Sequence, residues 1–182
     1  GKAQLDDGVE TTIVEQVGEK VLEQDVIAPV SYFVTPKGEK VIDFGQNAAA
    51  VPAFEFKAEE GTVLTCLPSE ILNDGNGAKS RGMDGPEGSC HRTNLRAHVE
   101  PAILMQYTFA GDKNYVTYHP TRTFFGYRFI SVTATDEVRI KSVKSIPVTS
   151  ITKEMEAGKI TTGNDLINKL ISNTRWGMYS NY

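Results

Sequence analysis

The sequence predicts an all-β fold, an antiparallel β-sandwich carrying a short C-terminal α-helix, and three observations predict it. Short runs rich in β-branched and aromatic residues recur along the chain, several with apolar and polar positions alternating at period two. Gly, Pro, Asn and Asp punctuate these runs, and no helical run separates them. Helical spacing arises once, near the end, where Leu166, Ile167, Leu170 and Ile171 follow the capping residue Asn164.

Residues 1–28 read as an irregular lead-in or a short hairpin, because Gly18 and acidic residues interrupt Val14, Val17, Val21 and Leu22. The first firm strand holds Tyr32, Phe33 and Val34 and turns at Pro36-Lys37-Gly38 into Val41, Ile42 and Phe44, a predicted hairpin. Phe54 and Phe56 alternate with polar neighbours, and after Gly61 the run from Thr62 to Leu67 resumes. Residues 73–93 hold Gly75, Gly77, Gly82, Gly85, Pro86 and Gly88, so they cannot supply a continuous apolar face and read as a long loop, functional or disordered. Further strands are expected at 102–109, 115–119, 124–133, 138–143 and 146–150. Period two assigns Ile42, Phe44, Phe54, Phe56, Leu64, Tyr127, Phe129 and Ile140 to the core. It also puts Phe125, Tyr127 and Phe129 on one face, with Phe124 off it. The domain reading is therefore a lead-in or tail of a preceding module at 1–28, a sandwich at 29–158, and a linker and first helix at 159–182. A helix with an apolar face and no following element looks like a piece of something larger.

Composition narrows function. A net charge of −4 with no Lys/Arg-rich run argues against a nucleic-acid partner, which needs a concentrated basic surface. No apolar run approaches membrane-spanning length, so no membrane partner is expected and the chain reads as soluble. Cys66 and Cys90 are too few for a disulfide scaffold and lack zinc-site spacing; two unpaired thiols are expected, with a bridge left open. His91, His98 and His119 are scattered, so no metal and no cofactor are expected.

Glu70, Asp74, Asp84 and Glu87 lie close enough in sequence to suggest the acid and base of a glycosidase. Asp74-Gly75 and Asp84-Gly85 are also ordinary turn dipeptides, so no catalytic residue is assigned. Asn73-Asp74-Gly75-Asn76 lacks the spaced acidic ligands of a calcium loop and reads as a turn. The ligand-binding candidates are Glu70, Asp74, Asn94 and Arg96. Arg96 and Arg128 could clamp a carboxylate, but a structural ion pair or stacking on a neighbouring ring is the expected role. Asp43-Phe44-Gly45-Gln46-Asn47 has none of the accompanying motifs of a kinase magnesium site. It reads as a strand end where Gly45 takes an unusual backbone angle and Gln46 and Asn47 satisfy backbone groups.

That same pentapeptide resembles a signature of the bacterial α-L-rhamnosidases of glycoside hydrolase family 78. So do Ser69-Glu70-Ile71-Leu72 with Asp74-Gly75 and Asn94-Leu95-Arg96-Ala97, the stretch from Tyr118-His119-Pro120 to Phe124-Phe125-Gly126-Tyr127-Arg128-Phe129, and Thr162-Gly163-Asn164 with Leu166 to Leu170. Ala48-Ala49-Ala50 departs from the family pattern, as does the length of the Gly-rich loop. The resemblance implies a concanavalin-like or jelly-roll sandwich immediately ahead of an (α/α)6 barrel that removes terminal α-L-rhamnose with inversion, the catalytic carboxylates lying in the barrel. It implies a non-catalytic module whose partners are that barrel and other β modules of the same polypeptide, in a periplasmic or extracellular parent. On this reading affinity for free rhamnose is expected to be weak or absent; a carbohydrate-binding, lectin-like module with a glycan as ligand is the alternative, which tight, saturable binding would favour.

Overall fold

The computed structural model describes residues 8, 12, 14, 15, 17–77, 81–93 and 103–182. Eight strands run in the order β1 (Leu22–Glu23), β2 (Ser31–Val34), β3 (Lys40–Ala58), β4 (Val63–Ser69), β5 (Met105–Thr108), β6 (Val116–Tyr118), β7 (Phe125–Ala134) and β8 (Val138–Thr149). A 3-10 turn (Lys153–Met155) and one helix, α1 (Asp165–Tyr179), follow. Every strand pairing among the described residues is antiparallel. The expected antiparallel all-β fold with a C-terminal helix is what the chain adopts.

One strand organises the sheet. The N-terminal half of β3 lies between β2 and β7, with β4 and β5 beyond β7. Its C-terminal half pairs β8 on one side and β6 on the other, with β1 at the far edge of β8. The hydrogen-bonded path is thus continuous but curled, and β3 passes from one layer to the other, as strands do at the corners of sandwiches. Pro52 sits where β3 has left β7, last paired at Ala50, and has not yet met β6, first paired at Phe54. A missing N–H interrupts the ladder least at such a gap.

The core lies inside this curl. Ile42, Phe44, Leu64, Cys66 and Ile130 of one half pack with Phe54, Phe56 and Val143 of the other. The rings of Phe56 and Phe109 stand 4.7 Å apart and those of Phe44 and Tyr127 5.6 Å apart, both edge-on. Seven of the eight expected core residues are buried, and Ile140 is not: it is 40% exposed. A bulge lets Glu55 face Ser142 and Phe56 face Ile140, with Lys141 as the extra residue. Ile140 therefore lies on the face of buried Phe56, but at an open mouth where Tyr32, Val34 and Val138 line a groove of about 840 Å³.

The expected common face of Phe125, Tyr127 and Phe129 also needs correction. Tyr127 joins the main core, whereas Phe129 packs with Val41 and Cys90 in a second cluster. The register of β3 on β7 slips between Asp43↔Phe129 and Ala48↔Tyr127, and this bulge turns Phe129 to the other side while Ile130 turns inward. Phe124, expected off that face, precedes β7 and is exposed. Two pairs of expected strands are each one strand, β3 and β8, and the expected strand at 102–109 is confined to β5, with Ala102 outside the described residues. In the described part of the lead-in, Leu22 and Glu23 pair Thr149 and Val148, and Ile27 bridges Ser145.

Candidate functional site

The β3 bulge is built around Asp43. Its Oδ1 accepts from the Gly45 backbone N–H at 2.6 Å, and both carboxylate oxygens accept from Arg128 at 2.9 Å. Gly45 adopts φ +73°, the left-handed conformation the sequence suggests for it, and a side chain there would press on Val30. Burial raises the Asp43 carboxyl pKa, but the Arg128 and Gly45 hydrogen bonds more than offset this and hold it low. Arg128 also lies over the Phe129 ring at 4.8 Å. Its role is that of an ion pair and a stacked cation. Gln46 donates to the Asn47 carbonyl, while Asn47 donates to Glu70 Oε1 at 3.3 Å rather than to backbone.

The Gly-rich loop winds around Asn73, which is only 2% exposed. Its amide donates to Ser89 Oγ at 2.9 Å and its side-chain oxygen accepts from Asp84 N at 3.0 Å. Its backbone pairs with Ser89 and Gly88. Gly85 has to lack a Cβ, which would lie 2.7 Å from Ser89 Oγ. Asp84 accepts from Arg92 N, Thr93 N and Thr93 Oγ1. His91 Nδ1 lies 3.1 Å from Asp84 Oδ1 without the alignment of a hydrogen bond. Burial opposes ionisation of Asp84, and donors led by the Arg92 N–H outweigh it, so its carboxyl sits well below the ordinary range. The Arg92 guanidinium reaches the carbonyls of Leu67 and Pro68 and the Ser131 hydroxyl, tying the loop to β4 and β7.

Of the sequence-predicted ligand residues, Glu70 and Asp74 lie among the described residues, and each has its own partners. Glu70 meets Asn47 at the end of β4, beside Gly126. Asp74 accepts from the backbone of Asn76 and Arg81, so its oxygens shape a turn. Asn94 and Arg96 lie outside the described residues. Cys66 and Cys90 are free thiols buried in different clusters. Sequence reasoning missed Asn73 as the loop's hub. The only local signal is an Asn opening a Gly-rich stretch, which also describes an ordinary turn.

A second feature lies where α1 meets the sandwich. Asn164 caps the helix by accepting from the N–H groups of Leu166 and Ile167. At the other end Trp176 packs on the main core, Ser180 Oγ accepts from Ala49 N, and the Tyr182 carbonyl accepts from Ser150 N and Thr149 Oγ1. Between the helix and the β1–β8 edge a cleft of about 500 Å³ remains. The face carrying Leu166 and Leu170 points away, 79% and 64% exposed. The helix stripe Leu166, Ile167, Leu170 and Ile171 is expected to pack on the sandwich or on a neighbouring molecule; Leu166, Ile167 and Leu170 are exposed, and the helix meets the sandwich through its last turn instead.

A curled antiparallel sheet closed around one core, with a helix anchored at its edge, defines a β-sandwich module. The chain belongs to the family described as the bacterial α-L-rhamnosidase concanavalin-like domain, whose model matches residues 34–150. It is 24% identical to an α-L-rhamnosidase of Alteromonas sp. (strain LOR) over 87% of this chain and 15% of that protein, and 28% identical to one of Streptomyces avermitilis over 85% and 13%. The crystal structure of the Streptomyces avermitilis α-L-rhamnosidase complexed with L-rhamnose superposes with a TM-score of 0.72 at 26% identity, covering 93% of this chain and 15% of that one. The chain thus spans only about a seventh of the length of the relatives it matches. No helix among the described residues is long and apolar enough to cross a membrane.

Proposed function

We propose that this chain is the non-catalytic sandwich module of an α-L-rhamnosidase-like glycoside hydrolase, and that it supports and orients the domain that removes terminal α-L-rhamnose. The observation that carries this is α1: its last turn is fastened to the core through Trp176 and Ser180, while Leu166 and Leu170 stand uncovered. A helix held at one side and apolar on the other is a mount for a further domain. Residues 29–158 form the module and 159–182 lead toward an (α/α)6 barrel with inverting carboxylates, in a periplasmic or extracellular parent. An inverting pair must stand roughly 6.5–9.5 Å apart across the sugar, each group free to handle a proton. Asp74 and Asp84 are instead occupied by backbone donors.

The test is a rhamnoside assay on this chain beside one extended through the following domain. Activity confined to the extended chain is expected; turnover by the short chain that disappears with Glu70→Gln or Asp74→Asn would overturn the reading. A carbohydrate-binding role is the second reading, and the cleft beneath α1 favours it.

A further inference from the structure

We propose that the cleft between α1 and the β1–β8 edge is a binding site for a neutral saccharide. This deepens the carbohydrate-binding reading and stands apart from the barrel-mounting one. Its volume of about 500 Å³ lies in the range of small-ligand pockets, which run roughly 300–1,000 Å³. Its lining includes small and apolar residues, Ala48 and Ala49 of β3 with Ile27 and Val148. One wall is aromatic: Trp176 and Tyr179 meet edge-on with their centroids 5.7 Å apart. Sugars present C–H faces that settle on such surfaces and hydroxyls that must be hydrogen-bonded at the same time.

The charges decide the ligand class. The lining holds two acids and two bases, Asp25, Glu156, Lys153 and Arg175, and they are already paired. Arg175 grips both oxygens of Glu156, and its Nε also lies 3.1 Å from the Tyr179 hydroxyl. Lys153 reaches Asp25 at 3.2 Å. A lining with no net charge gives no preference to an anion or a cation. The Arg175–Glu156 pair sets donors beside acceptors, which suits hydroxyl groups, each of which donates and accepts. Stacking of Arg175 on the Tyr179 ring at 5.2 Å holds the donor fork in place before any ligand arrives.

Trp176 is the one tryptophan of the chain, so emission excited selectively at tryptophan, beyond the absorption of its seven tyrosines, reports on this cleft. L-Rhamnose, D-glucose and D-glucuronate titrated into the 182-residue chain, which holds no second tryptophan to confuse the signal, are the probes. L-Rhamnose should give a saturable change with a Kd on the order of millimolar, as a monosaccharide-sized ligand allows. Arg175→Met and Tyr179→Leu should each weaken it roughly tenfold, with D-glucuronate binding no tighter than D-glucose. Tyr32→Ala, outside the cleft, should leave the titration unchanged. Thermal melting checks that each variant is folded; if Tyr179→Leu loosens the helix, the exposed Arg175→Met carries the comparison. A linear, unsaturable change with L-rhamnose, binding indifferent to Arg175→Met, or tighter binding of the anionic sugar would each overturn the proposal. None of those results bears on where rhamnoside hydrolysis resides, which the extended-chain assay reads separately.

Discussion

The Asp43 carboxylate and the Arg128 guanidinium meet as a two-pronged fork, both prongs 2.9 Å long, across the bulge between β3 and β7. The fork holds the strand where its register slips. Asp43→Asn removes the charge and one acceptor while Gly45 N and Arg128 stay in place, and should destabilise the fold by about 1–3 kcal/mol. Arg128→Lys should not rescue it, because an ammonium cannot make the parallel prongs. Urea denaturation checks this, with Arg139→Met as reference, since Arg139 and its partner Glu137 are largely exposed and should contribute about 0–1 kcal/mol.

Asp84 makes the Gly-rich loop sensitive to acid. Its folded-state pKa is depressed below the ordinary 3.8, so its contribution is fully present above that value and is lost as pH falls through the folded value. Hydrogen exchange at Arg92 and Thr93, whose N–H groups it accepts, should quicken below about pH 4 beyond the intrinsic rate. Asp84→Asn should remove most of that pH dependence. Unchanged protection of these amides down to pH 2 would contradict the assignment.

The uncovered helix stripe predicts a difference between two lengths of chain. Leu166→Gln and Leu170→Gln should leave the thermal stability of the 182-residue chain within about 0.5 kcal/mol, since neither side chain is buried in it. In a chain extended through the following domain, each should cost about 1.5–3 kcal/mol, the worth of a buried leucine. Equal effects in both chains would mean that the stripe has no partner downstream.

Thiol chemistry should be silent in the native state. Burial pushes the Cys66 thiol up to about 12 and the Cys90 thiol up to about 11, and both are almost wholly covered. A disulfide-exchange reagent at pH 8 should therefore label neither cysteine at the rate of a free thiol. After denaturation it should label both. Prompt labelling of one native thiol would indicate that its cluster opens.

Strands were legible wherever alternation is strict. Phe54, Phe56 and Leu64 show their inward face in a few residues of sequence, and Asn164 marks its helix by chemistry alone. What escaped depends on partners far along the chain. The burial of Phe129 against Val41 rather than Tyr127, and the exposure of Ile140, follow from bulges set by pairing between β3 and strands some ninety residues away, and nothing local records them. Glu70 and Asp74 stood out as carboxylates, but their hydrogen-bond partners decide their work, and those partners are backbone groups and an amide. Asn73 is a hub because Ser89 and Asp84 close over it. The cleft beneath α1 joins residues from the lead-in, the middle of β3 and the last helical turn, so no motif could name it.

The passage of β3 through both layers has a kinetic consequence. β2 covers only one edge of its first residues; Val41 must still find Ser131, and Val51 must find Ile146, before the strand is enclosed. During synthesis β3 therefore emerges with only β2 to pair its first residues, and the rest of the strand waits for β6, β7 and β8 to leave the ribosome. Closing loops of that length precedes any reward from packing, so folding is slow and governed by topology rather than by local propensity. Until then Phe44, Phe54 and Phe56 are open to the wrong neighbours, and chaperone dependence during biosynthesis should track the delay before residue 149 is translated.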